Sequence, residues 1–176
     1  MDKPQNAYDY FINHKEKFEQ RSDEKMKKIY MIAGIVCVVL LIFPIIPLPN
    51  WLVRVAVVIG GLYCGFKYMY DTDYYNKESG GKIESVLIKK FLREEVSLDD
   101  AVKALEKKDI KFLADATPTT DVPVQLYVYE DKVGKEYYCQ IMNYYAADDF
   151  RGASDVVVLS DDEYDKYKDL INSMKS

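Results

Sequence analysis

Residues 29–48, IYMIAGIVCVVLLIFPIIPL, and residues 51–70, WLVRVAVVIGGLYCGFKYMY, decide the expected fold, because only Arg54 and Lys67 carry charge in either stretch. The two meet across Pro49-Asn50 in a chain otherwise rich in Lys, Asp, Glu and Tyr. At a rise of ~1.5 Å per residue, a helix of about twenty residues matches a hydrocarbon core of about 30 Å. The expected architecture is an α-helical transmembrane hairpin of two membrane helices, 29–48 and 51–70, followed by a small α+β cytoplasmic domain. That domain is expected to hold a roughly three-stranded, mainly antiparallel sheet.

Outward from the hairpin, residues 1–28 form an N-terminal cytoplasmic amphipathic helix with Tyr8, Phe11, Ile12 and Phe18 on one side. It either lies on the membrane surface or packs on the C-terminal domain. Residues 71–81 read as a polar linker broken at Gly80-Gly81, and residues 82–176 as the cytoplasmic α+β domain. A 28-residue segment rich in charge before a long apolar core does not suit a cleavable signal peptide, so the first span is expected to be retained.

Charge orients the hairpin. Lys15, Lys17, Arg21, Lys25, Lys27 and Lys28 precede the first span, Lys77, Lys82, Lys89 and Lys90 follow the second, and the connecting turn has none. By the positive-inside rule both termini face the cytoplasm, in a multi-pass protein of the cell (inner/plasma) membrane. Tyr30, Trp51, Arg54, Lys67, Tyr68 and Tyr70 are the expected interface anchors, their amphipathic side chains being suited to headgroup depth. Three prolines in 43–50 argue that the first helix ends or kinks near Pro44, which leaves a re-entrant hairpin as the alternative geometry.

A reversal at Pro49-Asn50 sets Ala33, Gly34 and Cys37 at the level of Gly61 and Gly65. Helices without a hydrophobic drive toward one another associate through small residues. The expected packing set is therefore Ala33, Gly34, Cys37, Ala56, Gly60, Gly61 and Gly65. Packing within the hairpin is preferred to homo-oligomerisation through the same face.

In the C-terminal region, Lys82 to Glu95 is expected to be a helix, with Ile83, Val86, Leu87, Lys90 and Phe91 at helical spacing and Lys82, Lys89 and Arg93 along its flanks. Ser97-Leu-Asp-Asp100 resembles a capping box opening a second helix. Val122–Glu130 and Lys135–Ala146 alternate as a hairpin of strands about Asp131–Gly134, and Asp155–Leu159 is a third strand. Ser160-Asp-Asp-Glu163 is a second capping box before a closing helix.

Chemistry is sparse. Residues 71–176 hold 15 basic and 23 acidic groups, and an acidic domain repels phosphate backbones, so nucleic acid is excluded as the main partner. Cys37, Cys64 and Cys139 make neither a disulfide framework nor a metal set, and no cofactor or metal site is expected. The acidic spacing at 71–78 lacks the glycine a calcium loop requires. His14 has no nucleophile beside it in sequence, and no phosphate loop or nucleophile elbow is present, so the protein is not expected to be an enzyme.

Tyrosine stands out, with 16 residues against 7 phenylalanines and 1 tryptophan. Aromatic surfaces bury large area at small side-chain entropy, which makes Tyr127, Tyr129, Tyr138 and Tyr144 a candidate partner surface. The expected function is an integral membrane protein that anchors a small binding or regulatory domain at the lipid bilayer, recruiting a protein partner or sensing a ligand. The alternatives are a membrane-tethered enzyme using the Asp148/Asp149 loop and an oligomeric effector that perturbs the membrane.

Overall fold

The computed structural model describes residues 6–42, 51–92, 94–120, 124–146 and 149–175. In chain order the elements are α1 (Ala7–Asn13), β1 (Phe18–Arg21), α2 (Glu24–Ile42), α3 (Trp51–Tyr70), β2 (Asp73–Asn76), β3 (Ile83–Phe91), α4 (Leu98–Glu106), α5 (Ile110–Asp115), β4 (Val124–Asp131), β5 (Glu136–Ala146), β6 (Asp149–Gly152), β7 (Val157–Ser160) and α6 (Asp162–Ser173). Contacts divide the chain into two compact units: Met1–Glu19 with Tyr74–Ser176, and Gln20–Asp73 inserted between them.

Two sheets are present, β1 paired with β2, and five strands in the order β3-β4-β5-β6 with β7 also on β5. Strand β5 is long enough to hold two short partners on one edge, β7 at residues 136–139 and β6 at residues 142–146. The four pairings within the five-stranded sheet are antiparallel. Strands β4 and β5 arise where alternation predicts them, and side-chain period decides their faces. Leu126, Val128, Tyr137, Cys139 and Ile141 point into the larger core beneath α4, α5 and α6, while Tyr129 and Tyr138 point to the opposite face.

These facts overturn the expected fold class. Among the described residues one helix, α3, is long and apolar enough to cross a membrane by length and composition. Helix α2 is not, because it begins at Glu24 and spends its first turns on Glu24, Lys25, Lys27 and Lys28 before the apolar run from Ile29 to Ile42. The expected turn at 43–50, with its kink at Pro44, lies outside the described residues. The small domain is also richer than three strands, since the described residues form seven strands in two sheets.

The largest local correction is β3, a strand where a helix is expected. Ser85 opposes Tyr129 and Leu87 opposes Val128, so Val86 is the extra residue of a β-bulge. The bulge moves odd-numbered residues from one face to the other: Ile83 joins the Tyr129 cluster, whereas Leu87 and Phe91 join the larger core. Apolar residues at 83, 86, 87 and 91 then mimic a helical stripe in a chain that is extended throughout. Lys89 is consequently buried rather than flanking a helix, and its Nζ donates to the Ala114 carbonyl at 2.7 Å. Arg93 lies outside the described residues.

The N-terminal segment differs too. It forms α1 and β1 instead of one long helix, and Ala7, Phe11 and Phe18 are buried with Ile83, Tyr129 and Tyr138 in a second core. Asn6 caps α1 by accepting from Tyr8 N, and His14 closes it, its Nδ1–H donating to the Tyr10 carbonyl at 2.8 Å. At the other end of the domain Ser97 caps α4 as its sequence predicts, accepting from Asp100 N at 3.1 Å. Ser160 does not cap α6. That helix starts after Asp161, which takes a left-handed conformation (φ 52°) and makes no side-chain cap bond.

In the inserted unit, α2 and α3 pack on each other as an antiparallel pair. A Cβ on Gly34 would lie 3.7 Å from Cys64 Cβ, and one on Gly61 would lie 3.3 Å from Cys37 Cβ, so partner numbers fall as residue numbers rise. No residue of either helix is buried.

Candidate functional site

Two regions are built in ways that suggest use: the tyrosine-bearing face of the sheet and the helix pair. On the sheet, Tyr129 and Tyr138 are covered by the N-terminal segment. Phe11 meets their rings edge-on at 5.7 and 5.4 Å, and Phe18 lies 5.5 Å from Tyr138. Edge-to-face packing places the positive rim of one ring against the negative face of another, which suits buried aromatics. Burial holds both phenols well above their ordinary ionisation range, with the Glu136 carboxylate adding to the effect at Tyr138.

Tyr127 and Tyr144 have a different setting. They lie on the same face of the sheet, with Phe150 between them at ring distances of 6.5 and 5.4 Å. Ile88, opposite Tyr127 in the ladder, is half exposed, and Tyr144 is exposed as well. Of the four tyrosines expected to form a partner surface, two are therefore core, Tyr127 is half-buried at the edge of that core, and Tyr144 is exposed. Phe150 and Ile88, which periodicity did not single out, complete that surface patch.

One polar constellation was not legible in the sequence. The Glu136 carboxylate accepts from Lys17 Nζ at 2.8 Å, from Asn76 Nδ2 at 3.1 Å and from the Tyr138 hydroxyl. Lys17 precedes the inserted unit and Asn76 follows it, so one half-buried carboxylate ties both connections to β5. Asp131 plays a comparable part nearby. Fully buried, it accepts from Ser79 Oγ at 2.6 Å and from the amides of Val133 and Gly134 at 3.0 and 2.8 Å. Its carboxylate fills the space that a Cβ on Gly81 or Gly134 would need, which explains both glycines.

Among the described residues the candidate nucleophile and bases lie apart, each in a structural setting. Cys139 is buried among apolar neighbours that push its thiol up to about 12, the opposite of what a nucleophile needs. Burial lowers the Lys89 ammonium from its ordinary range, with Asp115 opposing the shift, yet its Nζ is engaged by a backbone carbonyl inside the fold. Glu130 accepts from the Tyr164 hydroxyl at 2.8 Å beneath α6, where Tyr164 stacks on Tyr137 at 4.5 Å. Among the described residues no group of three or more His, Cys, Asp or Glu could hold a metal ion. Asp148 lies outside the described residues, and Asp149 is described only through its backbone in β6.

The helix pair sorts the small residues into two sets. Ala33, Gly34 and Cys37 of α2, and Gly60, Gly61 and Cys64 of α3, are half-buried along the seam. Ala56 and Gly65 are exposed, and a Cβ on Gly65 would meet nothing within 4 Å. Beside the seam runs an apolar groove of about 380 Å³, with Gly34, Gly61, Cys64 and Gly65 along it and Tyr30 and Tyr68 at one end. Lys27 Nζ sits 5.9 Å from the centre of the Tyr68 ring, at that same end. Lys67 Nζ pairs with Asp71 at 2.9 Å, Tyr70 and Trp51 are exposed, and Arg54 is exposed near the start of α3. No family model, curated protein or solved structure matches this chain.

Proposed function

We propose that the protein is attached to a lipid bilayer by its inserted helix pair and presents its α+β domain at the membrane surface as a non-enzymatic recruiting module. One observation carries the reading: the pair has no buried residue, although Ile32, Ile42, Ile59, Leu62 and Phe66 are each more than half exposed. A contiguous apolar surface of that kind is costly in water and favourable in hydrocarbon. Helix α3 adds the length and composition of a membrane helix to that surface.

Chain connectivity supports a single-sided arrangement. Residues on both sides of the insert share one core, with Phe11 and Phe18 against Tyr129 and Tyr138, so the insert enters and leaves the bilayer on the same face. Arg21, Lys25, Lys27 and Lys28 beside that entry match the cytoplasmic leaflet of the cell membrane. The patch of Ile88, Tyr127, Tyr144 and Phe150 is the surface offered to a protein partner.

Membrane fractions of cells expressing the full chain test the reading. The protein should stay in the pellet after alkaline extraction, and tags at the two termini should report the same compartment. Release into the supernatant, or tags answering from opposite sides, would remove it.

A further inference from the structure

Resting on the bilayer attachment proposed above, we infer that the groove between α2 and α3 is a binding site for one anionic phospholipid, an acyl chain lying in the groove and the headgroup facing Lys27. The groove runs along α2 from Tyr30 to Val39, about 13 Å at the rise of a helix, close to the ~15 Å half-thickness of a hydrocarbon core. It therefore takes a chain from one leaflet, the leaflet that the insert enters. Its walls are apolar, and its floor at Gly65 is open because glycine leaves that space empty.

The groove's entrance supplies the charge that selects a headgroup. Lys27 stands over the Tyr68 ring and has no carboxylate partner among the described residues. Lys67, by contrast, is paired with Asp71. Of the two acids one turn before Lys27, Glu24 makes no ion pair with it, and Asp23 spends one oxygen on the amides of Lys25 and Met26 at 2.8 and 3.2 Å, capping α2. A free ammonium above a tyrosine ring, at the open end of an apolar channel, complements a phosphate diester with its chain below. Gly61 and Gly65 then have separate tasks within one Gly-x-x-x-Gly: Gly61 lets the helices touch, and Gly65 leaves room for lipid.

The full chain, purified in mild detergent and incubated with equal amounts of phosphatidylglycerol and phosphatidylcholine of identical acyl chains, is examined by native mass spectrometry. One retained lipid per chain is expected, with phosphatidylglycerol favoured about fivefold, the preference one basic residue gives at a membrane surface. Lys27→Gln should abolish the preference while lipid of either kind is still retained. Gly65→Leu fills the groove without touching the seam, and should lower retention of both lipids while helix content by circular dichroism is unchanged. Equal retention of the two lipids by the unsubstituted chain, or full retention by Gly65→Leu, would overturn the site. These failures are separable from failure of the attachment itself, which alkaline extraction reads independently.

Discussion

At Glu136 a single carboxylate gathers a lysine 119 positions away and an asparagine 60 positions away. Charge-assisted hydrogen bonds of this sort are stronger than neutral ones, and removing the acceptor leaves a partly buried ammonium without its counter-ion. Glu136→Gln is expected to destabilise the α+β domain by about 1–3 kcal/mol, measured by denaturant unfolding of the full chain in detergent. A change below about 0.5 kcal/mol, the scatter of ordinary surface substitutions, would deny the clamp its role. Gly81→Ala acts on the neighbouring carboxylate. Its methyl group would overlap Asp131, which three hydrogen bonds hold in place, so a clear drop in melting temperature is expected while Gly80→Ala acts only through its positive φ of 71°.

Among the elements, α1 and the helix pair carry the sharper expectations. Helix α1 has only seven residues and is too short to be stable alone, so it exists because Ala7 and Phe11 seat on the sheet. Phe11→Ala should cost about 3–5 kcal/mol and expose Tyr129 and Tyr138, seen as faster amide exchange across residues 7–13. Exchange unchanged there would mean that α1 is held by something else. In the inserted pair, Gly61→Leu must push Cys37 aside and should loosen the seam, whereas Gly65→Leu should not. Thermal melting of the two variants in one detergent separates them, and equal losses would contradict the division of the small residues into seam and groove.

For the whole molecule the tyrosines dictate the response to alkali. Tyr10, Tyr127, Tyr129, Tyr137, Tyr138 and Tyr164 are all raised above their ordinary value of 10.0, in each case chiefly by burial. A phenol whose folded value is raised keeps its proton in the native state when the unfolded chain has lost it. The stability it contributes is thus complete below about pH 10 and is lost as pH climbs toward the folded values. Lys89 has the opposite sign, since a lowered ammonium costs stability below its folded value and that cost disappears as pH rises to 10.5. Six phenols outweigh one lysine. Ultraviolet titration of the full chain should show a first wave of exposed tyrosines, then a steep cooperative wave coinciding with loss of structure. A single wave with the fold intact would show that these rings are accessible to water.

Much was settled by local pattern alone. The apolar composition of residues 29–42 and 51–70, the strands β4 and β5 and the cap at Ser97 all follow from periodicity and short-range hydrogen bonding, which are properties of neighbouring residues. Alternation also told that β5 has no wholly polar face. It could not tell what covers each face, because period two assigns a side chain to a side of the sheet and is silent on which distant segment lies there. Tertiary structure alone decided that Phe11 and Phe18 close over Tyr129 and Tyr138, that a bulge at Val86 turns an apparent helix into an edge strand, and that Glu136 joins the two ends of the insert. Each of these depends on residues brought together across tens of positions, where the free energy belongs to the folded contact and leaves no mark on the chain around either partner.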